Sequence, residues 1–313
     1  MSEPAFQITS GVIKEEPNIL MIHGVPKIGK SYFAGQFPNP VFDDIERGTK
    51  HLNVNRLPFV EQYPDVLAHI EYLRNGPHEF KTYVLDGVEK LEAIMDHHVL
   101  SERPTDEKGR DVSHVQDYGW GKGFDYVAEL WDELFDKLKD LKANREIECL
   151  LLGHSEIKTE EDIVAGGSYK QFVLQVRKAS AKVIRYHSDA ILFATREVLI
   201  EKDKHGKVTS ANIEGRGKRI LYTEYSPQWD AGNRLGLPYQ LKLDYQIFKD
   251  AVENGDPDSV DAIKQSIEGL ITRIKKEATK EKAIKRLEEY GSDVHKLTRL
   301  RDHLLTIVEE KEN

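Results

Sequence analysis

The sequence predicts an α/β fold. Its core has three layers, with helices on both faces of a mainly parallel sheet, an antiparallel hairpin at one edge and a helical C-terminal extension. Three observations predict it. The octapeptide Gly24-Val25-Pro26-Lys27-Ile28-Gly29-Lys30-Ser31 sits between a short apolar run and a helix-forming stretch. Short apolar runs then alternate with amphipathic helical patterns through about residue 195, the order that βαβ units produce. Two strand-like runs flank a turn at 203–206, and heavily charged helical stretches close the chain. The expected division is a core over residues 1–243 and a charged helical extension over 244–313, with Asp256-Pro257-Asp258 as the sharpest local boundary signal.

Residues 1–17 are a polar lead-in with room for one edge strand. Residues 19–22 form a buried strand, and 31–36 open a helix before Pro38 breaks it. Residues 40–43 give a second strand, ending in the carboxylate-rich turn Asp43-Asp44-Ile45-Glu46-Arg47-Gly48. A helix over 64–75 carries Val66, Leu67, Ile70 and Leu73 on one side, and Gly76-Pro77 stops it. The third strand, 81–86, closes on Asp86, and a helix follows over 87–100. The polar loop 101–123 is long enough to be functional or mobile.

Residues 124–144 are the clearest helix, with Phe124, Val127, Trp131, Leu134, Leu138 and Leu141 at three- and four-residue steps. A buried strand over 146–152 ends at Gly153-His154-Ser155. After a glycine-containing segment at 163–168, residues 172–187 read as a helix and 189–195 as a strand. The runs 197–202 and 207–213 make a hairpin, 218–223 adds an antiparallel strand, and 224–243 is a Pro- and Gly-rich loop. From Tyr245 onward the chain is helical, over 259–279 and 281–310, with Ile267, Leu270, Ile271 and Ile274 as one apolar stripe.

Composition narrows the function classes. The net charge of −9 argues against a surface built for non-specific duplex binding. Basic residues cluster locally at Lys170, Arg177, Lys178, Lys182 and Arg185, and at Arg216, Lys218 and Arg219; these are solvated faces or a local groove. No apolar run is long enough to cross a membrane, and the N-terminus lacks the basic and apolar regions of a signal peptide. The single cysteine, Cys149, cannot form an internal disulfide, so a reduced, cytoplasmic setting is expected.

The octapeptide matches G-x-x-x-x-G-K-[ST], which cradles the phosphates of a nucleoside triphosphate. Gly24 and Gly29 let backbone N–H groups close on the phosphates, Lys30 places a cation at the β/γ position, and the Ser31 hydroxyl is suited to Mg²⁺. Val25, Pro26, Lys27, Ile28 and Tyr32 complete the expected ATP contacts. Hydrolysis also needs a metal carboxylate and a group that orients water. Asp86, at the end of its strand, is the expected metal carboxylate, its bland alternative being a helix cap. Glu46 is the expected base, with Asp43 and Asp44 as competitors. His154 is the candidate γ-phosphate sensor, or else a histidine satisfied by backbone carbonyls. Arg219 could complete a neighbouring subunit's site in an oligomer, or simply mark a basic edge strand. The twelve histidines show no zinc-type constellation with Cys149.

The order of the 24–31, 42–46, 83–86 and 151–155 segments resembles the RecA-like P-loop ATPase core. More narrowly, Tyr118-Gly119-Trp120-Gly121-Lys122-Gly123, and the 219–223 stretch running on to the sequence DAGNRLGLP at 230–238, resemble phage ATP-binding proteins of the Sak-type single-strand-annealing group. The resemblance covers roughly residues 15–243. It implies ATP binding, weak ATPase activity and single-stranded DNA binding, for recombination or annealing beside a single-strand-binding protein. It assigns Lys30 and Ser31 the Walker A roles, Asp86 the Walker B role and Glu46 the catalytic-glutamate role. His154 stands where RecA has a glutamine, and no N-terminal oligomerisation segment like that of the large recombinases is found. DNA contacts are expected from loops around 101–123 and 156–170, with Trp120, Tyr169 and Phe172 as stacking candidates; packing is the favoured role for Phe172. The alternative is a nucleotide-dependent assembly or loader protein that switches contacts with a protein partner through its C-terminal helices.

Overall fold

The computed structural model describes residues 18–162, 166–197, 199–202, 208–212, 217–256, 258–274 and 277–309. The expected lead-in strand within 1–17, the hairpin turn at 203–206 and Arg216 lie outside the described residues.

The strands are β1 (Ile19–Gly24), β2 (Pro40–Asp44), β3 (Asn55–Arg56), β4 (Thr82–Asp86), β5 (Glu148–Asp162), β6 (Gly167–Leu174), β7 (Ala190–Arg196), β8 (Leu199–Lys202), β9 (Val208–Asn212), β10 (Arg219–Tyr222), β11 (Gly232–Asn233) and β12 (Gln240–Lys242). The helices are α1 (Lys30–Ala34), α2 (Tyr63–Asn75), α3 (Val88–Glu102), α4 (Lys122–Arg145), α5 (Lys178–His187), α6 (Tyr245–Asn254), α7 (Val260–Arg273), α8 (Glu277–Tyr290) and α9 (Val294–Glu309).

The main sheet runs β12-β10-β7-β1-β5-β4-β2-β3, parallel from β7 to β3, with β10 and β12 antiparallel at the far edge. Its strands are apolar on both faces, as a sheet covered on both sides requires. In β1, Ile19 and Met21 join the core shared with α2–α5, while Leu20 and Ile22 join the core shared with α1 and α6. Those two clusters define the three layers. Register places the carboxyl ends of the parallel strands along one rim: Gly24 lies opposite His154, Asp86 opposite Leu152, and Asp44 opposite Asp86. The site is built on that rim, where ligands bind in open α/β sheets.

Four expectations are corrected. The strand expected to stop at His154 continues to Asp162, because its outer half pairs with β6 in an antiparallel hairpin. Residues 172–177 are therefore not helical. Phe172, Val173 and Leu174 belong to β6, and α5 begins at Lys178. The β8–β9 hairpin forms a separate two-stranded sheet, and the antiparallel edge of the main sheet is made by β10 and β12. Finally, the helix expected over 281–310 is two helices, broken at Gly291, whose φ of 55° is left-handed.

Helix α6 packs on the core. Phe248 meets Phe33 edge-on at 5.9 Å, Tyr245 lies 4.5 Å from Phe37, and the Asp244 side chain accepts from the N–H groups of Gln246 and Ile247. Helices α7–α9 instead share a core of their own, around Ile263, Ile267, Leu270, Leu297, Leu300 and Leu304. This separate core thus starts after Asp258, with α7 beginning at Val260, inside the expected extension. No helix among the described residues is long and apolar enough to cross a membrane.

Candidate functional site

The 24–31 loop leaves the central strand β1 and turns into α1. Lys27 and Gly29 take left-handed φ values of 60° and 109°, which bend the chain back on itself. Ile28 is buried among the core residues around Phe33 and anchors the loop, whereas Pro26, Lys27 and Tyr32 are exposed. The Lys30 side chain folds back beneath the loop, its Nζ donating to the carbonyls of Gly24 at 3.3 Å and Val25 at 3.4 Å. Burial pushes the pKa of this ammonium down, while the nearby carboxylates of Asp86, Glu89 and Glu46 oppose the shift. A buried cation held by two carbonyls has capacity left for an anion.

Ser31 Oγ donates to Asp86 Oδ2 at 2.6 Å. Burial raises the pKa of Asp86, and the Ser31 hydrogen bond works against that rise. A hydroxyl and a carboxylate in contact, beside a phosphate loop, are the hard oxygen donors that Mg²⁺ takes alongside nucleotide phosphates. The donor set therefore fits the ion that the sequence predicts.

Three carboxylates competed for the role of base, and their partners separate them. Asp43 is fully buried and held by His69 Nδ1 at 2.7 Å and the Tyr83 hydroxyl at 2.6 Å. Asp44 accepts from the N–H groups of Gly48 and Thr49 and from the Thr49 hydroxyl, so it caps the turn after β2. Glu46 faces the rim. Gly87, with φ 139°, makes room for it: a Cβ at position 87 would lie 2.5 Å from Glu46 Cγ. Burial, then a hydrogen bond and repulsion from Glu89, push the Glu46 pKa up to about 7, with His154 pulling it down.

His154 Nδ1 is hydrogen-bonded to Glu89 and lies 3.4 Å from Glu46 Oε1, while its backbone N–H reaches Glu89 Oε2 at 3.3 Å. One ligand-type atom from each of Glu46, Glu89 and His154 falls within 4.8 Å of the others, so the three groups form one cluster at the rim. Glu89 was missed in the sequence. Its only signal is position, in the first turn of the helix that leaves the Asp86 strand.

The structure thus brings Lys30, Ser31, Asp86, Glu46 and His154 to one rim. Arg219 arrives there from β10: a Cβ on Gly29 would lie 2.6 Å from Arg219 Nη1, and the guanidinium carbon is 5.8 Å from the Tyr32 ring. The guanidinium stands over the loop of its own chain. Of the residues proposed for DNA contact, Trp120 is fully exposed and left-handed at φ 52° between two left-handed glycines, an unusual backbone for a bulky residue. Tyr169 shares a hydrogen bond with the Tyr225 hydroxyl at 2.9 Å, and Phe172 packs on Phe193 with ring centroids 5.2 Å apart. Two cations of the basic cluster are paired, Arg177 with Asp96 and Arg185 with Asp230.

No curated protein matches the chain. A family model described as an AAA domain matches residues 16–235, which include the phosphate loop, every rim residue named above and β10. That span is well over half of the 313 residues. The chain belongs to this AAA-domain family of nucleotide-binding P-loop ATPases.

Proposed function

We propose that this protein is a RecA-like ATPase that hydrolyses ATP and acts on single-stranded DNA, in the manner of phage recombination, annealing or replication proteins. One observation carries the reading. The strand that ends the rim at His154 does not stop there, but runs on as the first arm of the β5–β6 hairpin. A group touching the candidate base is therefore continuous, through one backbone, with a hairpin carrying Lys158, Tyr169 and Lys170. Cations for phosphates and aromatic rings for bases are what a single strand needs.

In the proposed reaction, Glu46 takes a proton from a water molecule as that water attacks the γ-phosphorus and the bond to the β-phosphate oxygen breaks. Its raised pKa suits a base working near neutral pH. Mg²⁺ held by Ser31, with Asp86 behind it, would neutralise phosphate charge. Lys30 and Arg219 supply protein cations at the same place, Arg219 in cis. Glu89 positions His154, and His154 reports the γ-phosphate to the hairpin.

The test is fluorescence anisotropy of a labelled oligo(dT) with the full chain, with and without Mg²⁺ and a non-hydrolysable ATP analogue. Binding that tightens with nucleotide and weakens in Trp120→Ala or Lys170→Ala supports the reading. Absence of oligonucleotide binding in both nucleotide states contradicts it. The self-contained core of α7–α9 favours a second reading, a nucleotide-dependent assembly or loader protein, in which these helices contact a protein partner. That reading predicts nucleotide-dependent capture of the partner and indifference to DNA.

A further inference from the structure

His23 immediately precedes the phosphate loop in β1 and is fully buried. Both ring nitrogens are used. Nε2 lies 2.6 Å from the carbonyl oxygen of Asp230, and Nδ1 lies 2.9 Å from Ser155 Oγ. A carbonyl can only accept, so Nε2 carries the proton and Nδ1 accepts from the Ser155 hydroxyl. Burial holds the imidazole pKa down at about 4, and the ring is neutral at physiological pH. None of the chemistry proposed above uses this residue.

Its two partners lead to one place. Ser155 follows His154 at the foot of the β5–β6 hairpin. Asp230 belongs to the segment between β10 and β11, which is laced to β6: Asp230 N–H donates to Phe172 O, Phe172 N–H to Gln228 O, and Gln171 Nε2 to Ser226 O, each at 2.9 Å. The Asp230 carboxylate in turn pairs with Arg185 on α5. The hairpin, α5 and this segment border an open cavity of about 710 Å³, lined by Tyr169, Gln171, Lys178, Arg185, Tyr225 and Asp230 among others. The cavity lies apart from the phosphate loop, and no residue of the 24–31 octapeptide lines it. His23 is the buried polar link between the two.

We propose that His23 is a positioning residue that couples nucleotide occupancy of the phosphate loop to the wall of this cavity. It rests on the 24–31 loop being a nucleotide site, and it does not depend on DNA being the cavity's ligand. The physical case is the rigidity of the link. The ring has no slack: it is packed 5.3 Å from Phe193, and both nitrogens are hydrogen-bonded. When phosphates draw in the backbone at Gly24, the adjacent imidazole must either carry Ser155 and Asp230 with it or leave a buried polar atom unpartnered. The first course moves the base of the hairpin and the 226–230 segment together, and so changes the cavity between them.

The test is hydrogen–deuterium exchange on the full chain, with and without Mg²⁺ and a non-hydrolysable ATP analogue, for wild type, His23→Phe and Ser155→Ala. In wild type, nucleotide is expected to change exchange in residues 169–174 and 226–232 by roughly tenfold, within the range usual for coupled sites. His23→Phe keeps a ring against Phe193 but removes both hydrogen bonds. It is expected still to bind the analogue while those two segments no longer respond. Ser155→Ala removes one link and leaves the imidazole in place, so it serves if the Phe variant does not fold; it is expected to reduce the response. A residue that only packs the core would alter basal exchange and leave the response to nucleotide intact, and that result overturns the proposal. Wild type that binds the analogue with both segments silent overturns it as well. Wild type that binds no nucleotide overturns the reading of the loop, and the coupling with it.

Discussion

The loop cation Lys30 is buried, folded under the loop, and held by two carbonyls that a phosphate can outcompete. Lys30→Ala removes charge-assisted contacts worth about 3 kcal/mol, so ATP affinity measured calorimetrically should fall by about 100-fold or beyond detection. Unchanged affinity would contradict the assignment. Glu46→Gln keeps shape and loses the base: kcat should drop about 10²–10⁴-fold with KM little altered. The sign of the pH dependence follows from the carboxyl group. With its pKa raised to about 7, Glu46 is mostly protonated at pH 6 and mostly ionised at pH 8. The wild-type rate should therefore rise across that interval, and the Gln variant should lose the rise. Arg219→Ala tests geometry. Because the guanidinium stands over its own loop, mixing Arg219→Ala with Lys30→Ala protein should not restore activity. Recovery in the mixture would place the arginine in a neighbour's site.

Among the elements, α6 is the one beyond residue 243 that packs on the main core. It was grouped with the charged extension, yet Phe248 and Tyr245 complete the aromatic cluster of Phe33 and Phe37 behind α1. Phe248→Ala should cost about 3–5 kcal/mol in urea unfolding of the core, as large core truncations do. A loss under 1 kcal/mol would mean that α6 is only peripherally attached. The same contrast explains what was legible. Strands β1, β2, β4 and β7 and helices α2, α3 and α4 were readable because local pattern and tertiary role agree in them. Phe172 to Leu174 were not, because their helix-compatible spacing is overridden by pairing with β5 and by the 226–230 segment that Phe172 hydrogen-bonds. At the rim, Lys30, Ser31 and Asp86 were legible because motif and strand end fix them. Glu46 was already favoured over Asp43 and Asp44, and the partners that occupy those two carboxylates set it further apart. Glu89 gave only a place in a first helical turn and His23 gave no pattern, since each contacts a partner more than 60 residues away in sequence.

At the level of the whole molecule, the chain joins a nucleotide-type core, an outward hairpin and a small helical bundle with a core of its own. A chain ending after residue 257 should keep α6 and both main clusters, and so should fold and bind ATP with wild-type affinity. A truncated protein that unfolds or loses nucleotide would show that the bundle supports the core. On the proposed reading, the joining of rim to hairpin through β5 would let a DNA strand held on the hairpin act on the ATP site. The most direct measurement is the steady-state rate of phosphate release by the full chain, with and without saturating single-stranded DNA. A rate that rises several-fold with DNA, and is abolished at both settings by Glu46→Gln, is the predicted result; a measurable rate indifferent to single-stranded DNA would contradict it.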